Sequence, residues 1–163
     1  MKHSWMIVAA LGLTLCLGHA EETKPAGDVD GFLRQVVRSL LANGNDMTFE
    51  IADRVVAIDN GEILTREQLR KAWPEFARQA IRTKVSVDQF FRDVELRVTP
   101  PSDNKRLMGN KRVLEAYKYQ DGDLYCDASH VKEGVKNFID YDKAFIFIIR
   151  KVGGKWTLIG IGG

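Results

Sequence analysis

Apolar positions in the first third of the chain recur at helical spacing. Phe32, Leu33, Val36, Val37, Leu40 and Leu41 fall three and four residues apart. That spacing predicts a one-sided helix, capped by Asp28 or Asp30 and stopped at Asn43-Gly44. A short helical turn is expected from Phe49 to Asp53. Val55, Val56 and Ile58 then lead into Asn60-Gly61, a favoured two-residue hairpin turn, so a small hairpin follows. Thr65-Arg66-Glu67-Gln68 is a capping box. Leu69, Trp73, Phe76, Ala77, Ala80 and Ile81 continue on one helical face. Pro74 costs about 3 kcal/mol in a helix interior, so a break near Trp73 is expected, with Pro74 opening a new first turn.

Past Thr83 the period shortens to two. Phe90, Val94, Leu96 and Val98 fit one strand, ended by Pro100-Pro101. Leu107–Tyr119 and Asp123–Val131 read as two more strands around Asp121-Gly122, with Lys132–Asp142 as a connector. The chain closes on "KAFIFIIRKVGGKWTLIGIGG", two strands about Gly153-Gly154. Helices first and strands after predict an α+β fold, with N-terminal helices packed in a curved antiparallel sheet. Phe145 to Ile149 are apolar on both faces, which predicts a central strand. A two-residue turn at Gly153-Gly154 sets Ile149 opposite Leu158, Phe147 opposite Gly160 and Phe145 opposite Gly162. The rings then cover bare glycine backbone, or the glycines leave room for a helix or a ligand.

The first residues change the domain picture. Lys2 and His3 precede an apolar run from Trp5 to Leu17, and Gly18-His19-Ala20 follows. This predicts a signal peptide over residues 1–20, cleaved after Ala20, and export to a periplasm or beyond the cell. The run is shorter than the roughly 20 residues that span a bilayer, and no membrane role is expected after cleavage. Residues 21–27 read as a flexible linker and residues 28–163 as one domain. The net charge is +2, and loss of Lys2 leaves +1. Such near-neutrality supplies no field for nucleic acid. Cleavage also removes Cys16, His3 and His19, leaving Cys126 and His130 as the single cysteine and histidine. A zinc site of Cys/His type needs more ligands than that, and no metal or cofactor is implied.

Candidate chemistry rests on the hairpin expected around Asp121-Gly122. A two-residue turn puts Glu115, Tyr117, Tyr119, Cys126 and His130 on one sheet face. Glu115 and His130 would form a coupled acid/base pair, with Tyr117 donating to an oxyanion. On a solvated face the same two groups form only a weak ion pair. Asp59, Asp88, Asp93, Glu95 and Asp127 are further acids, and Asp59 suits a turn. Cys126 suits a small buried hydrophobe. Trp73, Phe76 and Trp156 suit core or an aromatic pocket wall. "SDNKRLMGNKR", with Lys105, Arg106, Lys111 and Arg112, reads as a solvated loop or a surface for an acidic partner.

The long first helix, "ADRVVAIDNGEILTREQLRKAW", the strands and the ending "GGKWTLIGIGG" together resemble the nuclear transport factor 2-like superfamily. That superfamily includes SnoaL-like polyketide cyclases and ketosteroid isomerase. The resemblance covers most of residues 28–163. It implies a cone-shaped fold of the cystatin-like roll type, with a sheet wrapped around helices and a pocket inside. Trp73, Phe76, Tyr119, Cys126, Phe145, Phe147, Trp156 and Gly160 would line that pocket. It often implies a homodimer through the sheet. It implies no single activity, because enzymes, binding modules and assembly domains share the fold. The isomerase's catalytic constellation does not map onto this chain residue by residue. The first expectation is therefore an exported module that binds a small apolar ligand or a protein partner. The alternatives are a small lyase, isomerase or hydrolase working in the cone, and an inhibitor or immunity-type protein.

Overall fold

A computed structural model describes residues 27–80, 85–131 and 145–162. The predicted signal peptide, most of the linker and the 132–142 connector lie outside the described residues. The elements run α1 (Gly27–Leu41), β1 (Ile51–Ala57), β2 (Ile63–Thr65), α2 (Arg66–Ala80), α3 (Val87–Asp93), β3 (Val94–Thr99), a 3-10 turn (Pro101–Asp103), α4 (Lys105–Gly109), α5 (Lys111–Tyr117), β4 (Leu124–Val131), β5 (Ile146–Val152) and β6 (Lys155–Gly162). The fold is α+β. Its six strands form one sheet in the order β2-β1-β6-β5-β4-β3. The sheet is mixed rather than antiparallel throughout, because β1 runs parallel to β6. β5 lies inside the sheet, with Phe147, Ile148 and Ile149 all at 0–1% exposure, as its two apolar faces require.

Local rules explain the N-terminal half. The helical face of α1 buries Phe32, Leu33, Val36, Val37 and Leu40, and the chain leaves it through left-handed Asn43 and Gly44. A Cβ on Gly44 would lie 2.7 Å from the Pro74 backbone, so only glycine lets this turn sit against α2. The capping box forms in both directions. Thr65 Oγ1 accepts from Gln68 N at 3.2 Å, and Gln68 Oε1 accepts from Thr65 N at 2.8 Å. The expected break at Pro74 does not occur, and α2 runs through it. Leu69, Trp73 and Ala77 are anchored on one buried face, and their burial outweighs the lost backbone bond. Phe49–Asp53 is not helical, since β1 already begins at Ile51. The β1–β2 hairpin forms, but with a longer loop than two residues. Ala57 N donates to Glu62 O, and Gly61 rather than Asn60 has positive φ.

The larger correction concerns the middle of the chain. Phe90 sits in α3, not in a strand. Leu107–Tyr119 is two short helices, not a strand. Asn104 Oδ1 accepts from Leu107 N at 2.9 Å and Asn110 Oδ1 from Val113 N at 3.2 Å, so each helix has a side-chain cap. Leu107, Val113 and Tyr117 then point one way and are buried. The sheet is therefore covered on both faces. Phe147, Ile149, Cys126, Ala128 and Val94 pack with α1, α2 and α3. Val56, Tyr125, Ile148 and Ile159 pack with α4 and α5.

The closing hairpin keeps the expected register only near its turn. Gly153 and Gly154 both have positive φ, and Ile149 pairs with Leu158. A bulge then shifts the ladder, so Gly160 faces Ile148 and Gly162 faces Ile146. Phe145 and Phe147 do not lie over these glycines. A Cβ on Gly160 would meet three Ile148 side-chain atoms at 3.1 Å. Gly160→Val is accordingly expected to cost about 1–3 kcal/mol through overpacking. Adding Ile148→Ala should recover part of that loss in urea denaturation. An unchanged midpoint in the single variant would contradict the observed register.

Candidate functional site

The α4–α5 layer brings together four exposed cations and a small notch. α4 begins after Asn104 and α5 after Asn110, so two first turns follow each other along the surface. They carry Lys105 and Arg106, then Lys111 and Arg112, all exposed. The β1–β2 loop abuts them, because a Cβ on Gly61 would lie 2.9 Å from Arg112 Cγ. Between loop, helices and sheet lies a cavity of about 70 Å³ lined by Asp59, Asn104, Arg106, Asn110 and Tyr125, with an apolar floor of Ile58, Leu107 and Ile146. Burial and the Asp127 charge push the Tyr125 hydroxyl up to about 12, against the pull of Asn104 and Arg106. Tyr125 therefore stays a neutral donor at any physiological pH.

A polar network beneath this layer ties α5 to the sheet. Asp123 is 2% exposed. Its carboxylate accepts from Arg150 Nε and Nη2 at 2.7 Å each, from Tyr117 Oη at 2.5 Å and from Gln120 N at 3.0 Å. Arg150 also donates to the carbonyl of Lys118, the left-handed residue that ends α5. Burial pushes the Asp123 carboxyl up, but Arg150, Tyr117 and the Gln120 N–H together hold it below the usual range. Burial and the Asp123 charge push the Tyr117 hydroxyl well above its ordinary value. These groups are matched to one another and fix geometry. None is free to exchange a proton near neutrality.

The residues predicted from sequence are dispersed. Glu115 is exposed on α5 and lies on no sheet face. His130 pairs through its backbone with Glu95 on β3. Tyr117 is buried against Asp123, and Tyr119 is 37% exposed beyond the end of α5. Trp73, Cys126, Phe145 and Phe147 belong to the core under α1–α3, with Phe76 packed against it. Burial pushes the Cys126 thiol up, so it is a poor nucleophile. Gly160 lies in the β6 bulge. Trp156 lines a shallow groove with Asp28, Phe32 and Thr48, and Lys151 lies over its ring. Asp88 and Glu95 sit in surface ion pairs with Arg34 and Arg97.

Sequence reasoning missed Asp123 and Arg150. The signal was available, since Arg150 directly follows the apolar run "FIFII" while still inside a central strand. Such a charge demands a partner. No group of three or more His, Cys, Asp or Glu side chains suited to a metal ion occurs among the described residues, and none of their helices is long and apolar enough to cross a membrane. No family model, curated protein or solved structure matches the chain.

Proposed function

We propose that this is an exported, non-enzymatic module of nuclear transport factor 2-like architecture that binds a protein partner through its outer surface. One observation carries the reading. The layer between α1–α3 and the sheet, where the resemblance puts a ligand pocket, is occupied by Trp73, Phe90, Phe145 and Phe147 at 0–1% exposure. A filled interior favours the surface over a small apolar ligand, and over catalysis within a cone. The succession of a first helix, a hairpin, a capping-box helix and a closing hairpin inside the sheet supports the architecture. The α4–α5 pair is an addition that the resemblance does not imply. It also bears on the choice of partner. Leu107, Val113 and Tyr117 of this chain cover the sheet face that carries Val56, Tyr125, Ile148 and Ile159. A different protein is therefore a better occupant than a second copy docked through the sheet. Native mass spectrometry of the protein purified from its own host tests the reading. A complex with another protein and no bound small molecule is expected. A stoichiometric small molecule without a protein partner would overturn it.

A further inference from the structure

Many cations on the described surface are neutralised within the chain. Arg34 reaches Asp30 and Asp88, Arg66 reaches Asp53, Lys71 reaches Glu67, Arg78 reaches Glu75 and Lys151 reaches Asp28. Lys105, Arg106, Lys111 and Arg112 differ. Among the described residues, no carboxylate oxygen lies within 4.0 Å of any of them. The other described cations in that condition are Arg38, Arg54 and Arg70, spread over α1, β1 and α2, and Lys118 at the C-terminal end of α5.

The backbone that carries the four is also held in place. Leu107 and Val113 root their two helices at 3% and 0% exposure, and the caps on Asn104 and Asn110 fix where each helix starts. A fixed group of like charges is a standing repulsion that a complementary surface relieves, and its fixed geometry lowers the ordering cost of binding.

We propose that the α4–α5 surface is the docking site for an acidic segment of a partner protein, with one of its carboxylates entering the notch beside Arg106. The notch holds about 70 Å³. That is room for more than one water, and so for a carboxylate group. Asn110 uses Oδ1 for the cap and keeps its amide N–H donors. Tyr125 adds a hydroxyl that stays protonated. Asp59 also lines the notch, and its like charge confines an incoming carboxylate to the Arg106 side. Nucleic acid is disfavoured because the aromatic ring lining the notch, Tyr125, is buried and offers no face for base stacking. A lipid surface is disfavoured because the apolar faces of α4 and α5 are already used on the sheet.

The proposal rests on the protein-binding reading, and the two are separable. Fluorescence anisotropy on the full chain with labelled poly-glutamate, a DNA duplex and phosphatidylglycerol vesicles is the test. Poly-glutamate should bind in preference to both others, more weakly as salt rises. Replacing Lys105, Arg106, Lys111 and Arg112 together by Gln should weaken it about tenfold or more. The Arg38→Gln/Arg54→Gln/Arg70→Gln variant should leave it unchanged. Should the fourfold variant misfold, Lys105→Gln/Lys111→Gln keeps the test, with a smaller loss expected. Unchanged binding in the patch variants, or tighter binding of duplex or vesicles, overturns the docking site. A host partner that binds wild type and the patch variant equally overturns the site and leaves the protein-binding reading standing. A small molecule in place of any partner, with poly-glutamate binding still lost in the patch variant, supports the surface chemistry and overturns only that reading.

Discussion

Trp73→Ala lowers the stability of the fold by about 4 kcal/mol, within the 3–5 kcal/mol of a buried Trp or Phe truncation. The side chain is fully buried. It stands in a chain of rings, 5.4 Å from Phe49 and 5.4 Å from Phe76 between centroids, and Phe76 in turn meets Phe145. Removing it opens a cavity that α2 cannot close, because α2 is pinned there by Gly44 against Pro74. The indole Nε1 also donates to Ser39 Oγ at 2.9 Å, joining α2 to α1. Ser39→Ala strands that N–H in a dry site and should cost about 1–3 kcal/mol. Trp73→Phe keeps more of the volume and should fall between the two. Urea denaturation monitored by circular dichroism gives all three. A Trp73→Ala midpoint equal to wild type would mean that the helix–sheet layer is not filled, and would restore the small-ligand reading.

What the sequence disclosed follows from how local each determinant is. α1 was legible because a single stripe, Phe32 to Leu40, needs no partner to be recognised as helical. The Thr65–Gln68 box is a self-contained four-residue signal. The central place of β5 was legible because an apolar run on both faces leaves one arrangement. The parallel pairing of β1 with β6 joins residues about a hundred positions apart in sequence, and nothing near either strand announces it. The β6 bulge was hidden for a related reason. It falls between the Ile149–Leu158 and Ile148–Gly160 pairs, beyond the part of the ladder whose register follows from the Gly153-Gly154 turn.

The candidate site was half visible. Lys105, Arg106, Lys111 and Arg112 stood out as a basic group, but Asp121-Gly122 suggested a hairpin and drew the preceding residues into a strand. Asn104 and Asn110, each three residues before an apolar anchor, were the signal that would have corrected it. With that strand went the Glu115–His130 pair, because a helix places Glu115 on the outside. The Tyr117 hydroxyl serves Asp123 rather than an oxyanion.

Asp123→Ala should cost about 3 kcal/mol, the low end of the range for breaking a buried ion pair. The low end applies because the Arg150 side chain keeps 19% exposure, so water can recover part of its solvation. The variant removes the acceptor for Arg150, Tyr117 and the Gln120 N–H at once. Asp123→Asn keeps the shape and loses the charge, so it separates packing from electrostatics. Arg150→Met, by contrast, leaves a buried carboxylate without its cation and should destabilise by a similar amount at neutral pH. The network also sets a pH dependence. The Asp123 carboxyl is lowered in the folded state, while in the unfolded chain it titrates near 3.9. The unfolded state therefore takes up its proton first on acidification. The stabilisation is complete above about pH 4 and is lost as pH falls through the folded value. Wild type should accordingly lose urea resistance below about pH 4 more steeply than Asp123→Asn, which has no carboxyl to protonate there. Parallel acid profiles for the two proteins would show that the Asp123–Arg150 pair does not hold together the network through which Tyr117 and the Lys118 carbonyl join α5 to the sheet, and the rigidity of the α4–α5 surface would then need another source.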